Sequence, residues 1–286
     1  MSEKKIAVVT DSCTDVPKEL LERYGIYVLP VVVQYSDRSY LDRVEITEQE
    51  VYDRLEREIP TTSLPEPEYV VRTFDRIVAD GYDTAVVVTM SSGLSGTFNA
   101  VRVLAGDYDR LEIHMLDTKN IGIGAGFSAI AAAELVAAGA DVEEVVAKVQ
   151  DTIAHTKIFF SLKTLEYLRK GGRIGLVAGI IGNVLNIKPI ISCNDDGIYY
   201  NVKLARGEKQ SLKEILRLAR EYAERYPAYN VAVCDGAAPE DAERLMAVIH
   251  ENFPRARNIY RTHVSPALVV HTGPGLIGIG VQEICE

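Results

Sequence analysis

A turn rich in serine and glycine, residues 91–97, follows the apolar segment Thr84–Thr89 and carries four hydroxyl side chains. A strand, a turn of small residues and a helix in succession direct backbone N–H groups towards an anion. The turn contains no lysine, so it lacks the Gly-Lys-Ser/Thr pattern of a Walker loop. It therefore indicates a site for one oxyanion, a carboxylate or a phosphate. The alternative is a turn that only caps the following helix.

Two other polar segments, residues 11–14 and Thr61–Ser63, are expected at the same edge of a parallel sheet as this turn. Ligands of open α/β sheets bind beyond the carboxyl ends of the strands, where such segments meet. Their hydroxyl groups would add neutral donors to the oxyanion site. They could equally cap the helices that follow, and both interpretations are compatible because a capped helix N-terminus also attracts anions.

His271 is predicted to lie in a glycine- and proline-rich turn after the apolar residues 267–270. It could donate to an anion, act as a base, or only satisfy a backbone carbonyl group. Residues 122–126 are rich in glycine, but Phe127 stands where a dinucleotide-binding G-x-G-x-x-G pattern needs its third glycine or alanine. The sequence predicts no metal site, because neither the histidines nor the four cysteines show metal-ligand spacing.

The net charge of −10 argues against nucleic acid as a partner, because neutralising phosphates requires clustered lysine and arginine. With 286 residues, 47% of them hydrophobic, the chain is expected to form one large or two medium domains with substantial cores. The scattered cysteines indicate reduced thiols and a cytoplasmic location. The N-terminal apolar run is too short for a signal peptide, and residues 127–140 indicate a buried helix and no membrane span.

Strands and helices alternate in the first half of the chain, which predicts a three-layer α/β/α domain with a parallel sheet over residues 1–154. Here residues 27–34 are predicted as one strand and residues 60–67 as a rigid loop, while Thr47 and Glu50 form a capping box. Residues 155–286 are predicted to form a two-layer α/β domain with a mixed sheet and helices on one side. Its residues 195–197 indicate a hairpin turn.

The polar segments, taken together and in order, resemble those of the DegV family. Each motif alone is weak, but the ordered set is specific and runs nearly from end to end. The matching segments are Val9-Thr10-Asp11-Ser12, Thr61-Thr62-Ser63 with Pro65 and Pro67, residues 91–97, Asp117-Thr118, Leu165-Glu166-Tyr167-Leu168 with residues 170–174, Ile187-Lys188-Pro189 and residues 271–275. Leu64 departs from the pattern, because the family commonly has glutamine there, and this puts the polar contacts of the loop in doubt.

The resemblance implies an α/β protein that holds one long-chain fatty acid, C14–C18, between two domains, without a cofactor, a metal or catalytic residues. It implies a fatty-acid-binding subunit that presents the carboxylate to a separate ATP-binding fatty acid kinase and carries the acyl phosphate toward phospholipid synthesis. Transient contact with a membrane would allow exchange of the fatty acid. Because the family is also similar to the substrate-binding part of dihydroxyacetone kinases, the alternative is a small-molecule enzyme with His271 as base or covalent anchor.

The residues assigned to the ligand offer a hydroxyl group, a glycine N–H group or an imidazole ring. They are Thr62, Ser63, Ser91, Ser92, Gly93, Ser95, Gly96 and His271. Arg173 is expected to orient the polar end or to join the domains. Arg206 lies where the family has a basic residue proposed to meet the kinase. The apolar residues 122–127, 159–168 and 176–185 are candidate walls for the acyl chain, or ordinary core.

Overall fold

The computed structural model describes residues 5–180 and 186–284, which form thirteen strands and ten α-helices. The strands are β1 (Ile6–Asp11), β2 (Tyr27–Leu29), β3 (Val32–Gln34), β4 (Ser39–Leu41), β5 (Thr61–Ser63), β6 (Thr84–Thr89), β7 (Glu112–Asp117), β8 (Thr156–Ser161), β9 (Ile187–Cys193), β10 (Tyr199–Arg206), β11 (Tyr229–Gly236), β12 (Ala256–His263) and β13 (Leu276–Glu283). The helices are α1 (Lys18–Tyr24), α2 (Glu48–Arg54), α3 (Pro67–Ala79), α4 (Thr97–Gly106), α5 (Ile123–Ala137), α6 (Val142–Ala154), α7 (Glu166–Lys170), α8 (Glu208–Ala223), α9 (Pro239–Asn252) and α10 (Pro266–Thr272). None of the helices in these described ranges is both long and apolar enough to cross a membrane.

The first domain is built on a parallel sheet of order β2-β1-β6-β7. Every residue of β1 and β6 is buried, as expected for the central, mostly apolar strands of a parallel sheet that is covered on both faces. Phe74 of α3 and Val101 of α4 belong to the core on one face. Phe127 and Ile130 of α5 belong to the core on the other. The predicted three-layer α/β/α arrangement is thus confirmed.

The second domain contains a mixed sheet of order β10-β9-β8-β13-β11-β12. Its strands β11 and β12 run parallel, whereas the other neighbouring pairs are antiparallel. Helices α8 and α9 cover the outer face, where Ile215 and Ile249 share a buried cluster with Val231. The predicted two-layer domain is therefore confirmed. The exact boundary between residues 154 and 155 stays a prediction, and it falls between α6 and β8.

The inner face of the mixed sheet packs against α5 of the first domain. A Cβ atom at Gly280 of β13 would lie 3.0 Å from the Phe127 ring, so the strand and the helix approach closely because glycine occupies this position. Phe160 and Cys234 of the mixed sheet belong to the same buried cluster as Phe127 and Val86. One apolar core therefore joins the two domains.

Residues 27–34 do not form the single strand that the sequence predicts. β2 ends at Leu29 and β3 begins at Val32. Pro30 between them has no N–H group with which to continue the pairing to β1. After this proline the chain leaves the parallel sheet and enters an antiparallel sheet of order β4-β3-β5.

The loop predicted at residues 60–67 is also corrected, because its first half forms β5 and pairs with β3, with Thr62 opposite Val33. A three-residue polar strand has no apolar alternation by which a sequence pattern could reveal it. Two local predictions are confirmed. Thr47 and Glu50 form the capping box at the start of α2, and residues 195–197 turn the chain between β9 and β10.

The substitution Gly280→Ala is expected to destabilise the packing between the domains, because the new Cβ would sit 3.0 Å from Phe127 Cε2. We expect a loss of about 1–3 kcal/mol in the free energy of unfolding, the usual cost of overpacking a core. Gly106→Ala is the matched control, since its Cβ would meet no atom within 4 Å and alanine favours a helix. Urea unfolding measures both variants, and equal stability would contradict the close packing.

Candidate functional site

Thr62 and His271 face each other across the boundary between the domains. Thr62 Oγ1 lies 2.8 Å from His271 Nε2, within hydrogen-bond distance. The pairing of β5 with β3 fixes Thr62, and His271 lies in the last turn of α10. The sequence predicts a turn around His271. The structure corrects this prediction, because Ser265 as N-cap and Pro266 as first helical residue begin a helix that includes it.

His271 is neutral in this environment. Burial, reinforced by the positive charge of Arg173, lowers the pKa of His271 to about 4. A neutral ring has one donor and one acceptor nitrogen, so the tautomer decides whether Nε2 donates to Thr62 or accepts from it. Nδ1 is buried without a hydrogen-bond partner in the described part of the chain. It lies against Gly171, where any Cβ atom would collide with it, so the ring requires glycine at this position.

Arg173 connects the two domains beside this pair. Its Nη1 donates to the carbonyl oxygen of Gly171 at 2.7 Å, and its Nε donates to that of Leu94, in the first domain, at 3.4 Å. Both acceptors are backbone carbonyl groups, so these contacts do not neutralise the guanidinium charge. Arg173 thus supplies positive charge next to His271, and this charge would attract a bound anion.

A cavity of about 60 Å³ opens between the domains at this point. Thr62, His271 and Arg173 lie together and are called here the polar end of the cavity, and apolar side chains form most of the rest of the lining. The lining residues are Cys13, Val31, Thr62, Ser63, Leu64, Met90, Leu94, Ser95, Ile121, Arg173, Tyr199, Ala267, Leu268, His271 and Thr272. A site with this composition suits a ligand that has one polar end and an apolar body.

A second pocket, of about 20 Å³, continues the cavity inward between α5 and the mixed sheet. The two pockets share Ile121, Tyr199, Leu268 and Thr272. Apolar residues of both domains line the inner pocket, among them Ile123, Ile158, Phe160, Cys234, Val264 and Leu276. Because ligand cavities usually measure about 300–1,000 Å³, the walls must part for a long ligand, which would extend from the polar end into the interface between the domains.

The predicted walls of the acyl chain coincide with these pockets only in part. Gly122, Ile123 and Phe160 line the inner pocket. Leu176 is 63% exposed and lines neither pocket, and residues 181–185 lie outside the described residues. The predicted segments therefore include both pocket-lining residues and residues with no part in the cavity.

Ser91, the first hydroxyl of the turn at residues 91–97, joins the two domains. Its Oγ donates to the carbonyl oxygen of Gly197 at 2.8 Å and accepts from the N–H group of Gly93 at 3.0 Å. Gly197 belongs to the β9–β10 hairpin, has φ of +76° and leaves no room for a Cβ beside Ser91. Gly93 in turn packs on the Asp196 carbonyl oxygen, which would lie 2.6 Å from a Cβ there. Ser91 and Gly93 thus hold the turn against the second domain.

Ser92 is engaged at the end of β7. Its Oγ accepts a hydrogen bond from Lys119 Nζ at 3.0 Å, and Lys119 forms an ion pair with Asp117 Oδ2 at 2.8 Å. The N–H group of Ser92 donates to Asp117 Oδ1 at 3.0 Å. Although burial raises it, hydrogen bonds from Lys119 and Ser92 hold the pKa of Asp117 below its usual value. The carboxylate of Asp117 therefore anchors the start of the turn.

Ser95 lines the cavity, and its Oγ accepts from the N–H group of Thr97 at 3.2 Å. Gly96 is the N-cap of α4 and faces the Leu64 side chain. Among the predicted ligand residues, the structure brings Thr62, Ser63, Ser95 and His271 to the cavity wall, and it does not bring Ser91, Ser92, Gly93 and Gly96 there. Arg206 also lies away from the cavity, at the exposed end of β10.

Sequence reasoning missed several apolar residues of the cavity wall. Cys13 lies within the polar segment at residues 11–14, and Met90 directly precedes the turn at residues 91–97. These positions in the sequence could have identified both as cavity residues. These segments do meet, as predicted, because Asp11 Oδ2 accepts a hydrogen bond from the Met90 N–H group at 2.7 Å. Tyr199 and Leu268 come from the second domain, and only the tertiary fold brings them to the site.

A larger and more open cleft, of about 330 Å³, lies between the N-terminal ends of α8 and α9. Its described lining contains three basic and three acidic side chains, which are Lys163, Lys188, Arg244, Glu208, Glu240 and Asp241. Arg244 is paired with Asp241 at 2.6 Å. The charges in this cleft are balanced, and its described lining has no apolar wall comparable to that of the interdomain cavity. This cleft is therefore the weaker candidate.

Comparison with known proteins finds relatives of this chain in sequence and in fold. The model for the DegV family of uncharacterised proteins matches residues 5–283. A DegV domain-containing protein of Clostridium perfringens is 38% identical over 280 residues, which cover 98% of this chain and 99% of the relative. Two solved structures are similar over the whole length of the chain. One is a fatty-acid-binding DegV family protein from Thermus thermophilus, with a TM-score of 0.91, 29% identity and coverage of 98% of this chain and 100% of its own. The other is a stearic-acid-binding protein from Eubacterium ventriosum, with a TM-score of 0.87, 27% identity and coverage of 98% of both chains.

The His271 ring is expected to titrate with a pKa of about 4. This folded-state pKa lies below the ordinary value of about 6.5, so the stability that His271 contributes is complete above that value and is lost as the pH falls towards 4. An NMR titration of the imidazole protons measures the pKa, and the His271→Gln variant assigns the resonance. A pKa near the ordinary value would show that the ring is not buried as described.

Proposed function

Because this chain belongs to the DegV family, we propose that it binds one long-chain fatty acid between its domains and presents the carboxylate to a separate ATP-dependent kinase. The observation that carries the proposal is the Thr62–His271 pair at the polar end of an otherwise apolar cavity. The relatives from Thermus thermophilus and Eubacterium ventriosum, which bind fatty acid and stearic acid, support the same class of ligand for this chain.

The carboxylate would lie beside the Thr62–His271 pair. The Thr62 hydroxyl and the Nε2–H group of a neutral His271 can both donate, and because the two atoms lie 2.8 Å apart, one carboxylate oxygen could lie within hydrogen-bond distance of both. Arg173 adds a positive charge nearby, and Ser95 adds a hydroxyl group that also lines the cavity. Several converging donors can hold a carboxylate without a direct ion pair. In this proposal Ser91 and Ser92 support the turn and do not contact the ligand.

The acyl chain would follow the apolar wall past Tyr199 and Leu268 into the inner pocket near Phe160. Burying about fourteen methylene groups at roughly 0.8 kcal/mol each gives about 11 kcal/mol before the costs of binding. Each charge-assisted hydrogen bond adds only about 1.5–3 kcal/mol. The chain would therefore supply most of the affinity, and the polar end would fix the orientation of the carboxylate.

The site of contact with the kinase is proposed at the exposed edge strand β10. Leu204 and Arg206 lie two positions apart and so point to the same face of this strand, and Leu204 is 46% exposed. An exposed apolar side chain beside an arginine is a common core of protein interfaces.

The protein would work in the cytoplasm, carry the acyl phosphate toward phospholipid synthesis and exchange its cargo by transient contact with a membrane.

The alternative function, a small-molecule enzyme with His271 as base or covalent anchor, has less support. A pKa of about 4 makes His271 a weak base at neutral pH, whereas an effective general base has a pKa near the working pH. The wall formed by Val31, Met90 and Leu94 would also contribute nothing to the binding of a small polar substrate. Both observations favour a lipid ligand.

The first test is the identity of the ligand and the role of Thr62. We expect organic extraction and mass spectrometry of the purified protein to yield a C14–C18 fatty acid in stoichiometric amount. Thr62→Val keeps the shape of the side chain but removes its hydroxyl group, and it is expected to weaken stearic acid binding about tenfold. Fluorescent-probe displacement measures the affinity.

Thr61→Val, on the same strand but with an exposed side chain, is the matched control and should bind as the wild type does. A wild-type protein that stays empty after incubation with fatty acids would refute the proposed ligand. Binding that is unchanged in Thr62→Val would refute the proposed place of the carboxylate.

Arg206 is tested by charge reversal. In an assay with ATP and the ATP-binding subunit of a bacterial fatty acid kinase, Arg206→Glu is expected to reduce acyl phosphate formation about tenfold, the effect of one interface charge pair. Its affinity for stearic acid should stay unchanged, because Arg206 does not line the cavity. Arg220→Glu, an exposed arginine of α8, is the control. Equal activity of the two variants would exclude Arg206 from the contact.

A further inference from the structure

Two carboxylates of the first domain hold the N-terminal end of α10, the helix that carries His271. Asp15 Oδ1 accepts a hydrogen bond from the N–H group of Ser265 at 2.9 Å. Asp42 Oδ1 accepts one from the N–H group of Ala267 at 3.0 Å. Asp15 is 4% exposed and Asp42 is fully buried. Both bonds cross between the domains, so the first domain fixes the start of this helix.

Arg43 completes this contact. Its Nη2 donates to Asp15 Oδ1 at 2.7 Å and to the carbonyl oxygen of His263, just before α10, at 2.8 Å. Asp15 and Arg43 both adopt left-handed backbone conformations, with φ of 49° and 61°. Non-glycine residues occupy this region at an energetic cost, and such strain tends to occur where function requires a particular geometry. The backbone is thus bent at two positions to bring this ion pair to α10.

The opposite end of α10 meets the same small sheet. Asp42 directly follows β4, and its N–H group donates to the carbonyl oxygen of Val31 at 2.9 Å. Thr62 lies in β5, and both strands pair with β3. One three-stranded sheet therefore contacts the first turn of α10 through Asp42 and the last turn through Thr62. From Ser265 to His271 the helix rises about 9 Å, at about 1.5 Å per residue.

We propose that Asp42 and Asp15 are positioning residues of the carboxylate site, which fix α10 on the three-stranded sheet and so set the distance between Thr62 and His271. Neither carboxylate lines the cavity around Thr62 and His271, and Asp15 borders only the inner pocket. A helix of seven residues moves as one body, so a displaced first turn displaces the imidazole ring. This inference rests on the proposed fatty acid site for its functional meaning, but the placement of His271 can be measured without any ligand.

The experiment compares Asp42→Ala with Asp42→Asn, since asparagine keeps a side-chain oxygen that can accept from Ala267. Stearic acid and octadecanol serve as probes, because they share the chain and differ in the head group. In Asp42→Ala we expect affinity for stearic acid to fall about tenfold, the effect of one lost charge-assisted bond at the head group. Affinity for octadecanol should stay within about twofold, because chain burial is unaltered. Asp42→Asn should restore the binding of stearic acid.

The His271 pKa provides a second readout in the absence of ligand. In Asp42→Ala it should rise from about 4 towards its ordinary value as the ring becomes more hydrated, and in Asp42→Asn it should stay low. If the wild type bound neither probe, the fatty acid function would fail while this titration still tested the positioning role. If Asp42→Ala does not fold, Arg43→Met is the second variant. The Arg43 side chain is one-third exposed, so we expect the same changes in affinity and pKa with a smaller magnitude.

Two results would overturn the proposal. One is an equal loss of affinity for stearic acid and octadecanol in Asp42→Ala, which would indicate general damage to the cavity. The other is an unchanged ratio of the two affinities together with an unchanged His271 pKa, which would show that α10 keeps its place without this carboxylate.

Discussion

Helix α10 lies between β12 and β13 of the mixed sheet in sequence but packs on the three-stranded sheet of the first domain, and the polar end of the cavity depends on this contact. Asp42 binds the N–H group of Ala267 at one end of the helix, and Thr62 meets His271 at the other. Because Asp42 directly follows β4 and Thr62 lies in β5, the register of β4, β3 and β5 sets their spacing. The geometry at the polar end is therefore local, even though the residues come from two domains.

The charge at the polar end is equally local. Among the described lining residues, Arg173 carries the one formal charge, because burial keeps His271 neutral. A carboxylate bound beside the ring would oppose the effects of burial and of Arg173 on the His271 pKa, because a nearby negative charge favours the protonated imidazole. Binding of a carboxylate would therefore raise the pKa of His271 from about 4, while Arg173 opposes protonation of the ring.

The sequence predicts those features whose cause lies within a few residues. The apolar run Thr84–Thr89 forms β6 because burial on both faces requires such a run, and Thr47 caps α2 through Glu50, three positions away. Pro30 carries a local signal that was overlooked, since a proline interrupts strand pairing. The split of the strand around it follows from that signal alone.

Other features depend on residues that are distant in sequence. The hydroxyl groups of Ser91 and Ser92 lie in a turn that suits an anion, yet their partners in the structure are Gly197 and Lys119, 106 and 27 positions away. The helix around His271 similarly depends on carboxylates more than 200 positions earlier. A sequence pattern selects polar residues near a site, but the tertiary partners determine which of them remain available to a ligand.

In the proposed function the donors at the polar end matter because the carboxylate would have to react. A direct ion pair would hold a carboxylate more strongly, but it would also stabilise the negative charge that must attack a phosphoryl group. Hydrogen bonds from Thr62 and a neutral His271 would orient the carboxylate while withdrawing less of its charge. The loss of binding strength would be small, because burial of the chain would contribute about 11 kcal/mol before costs. The apolar cavity would thus make a weakly held, reactive carboxylate compatible with tight binding of a whole fatty acid.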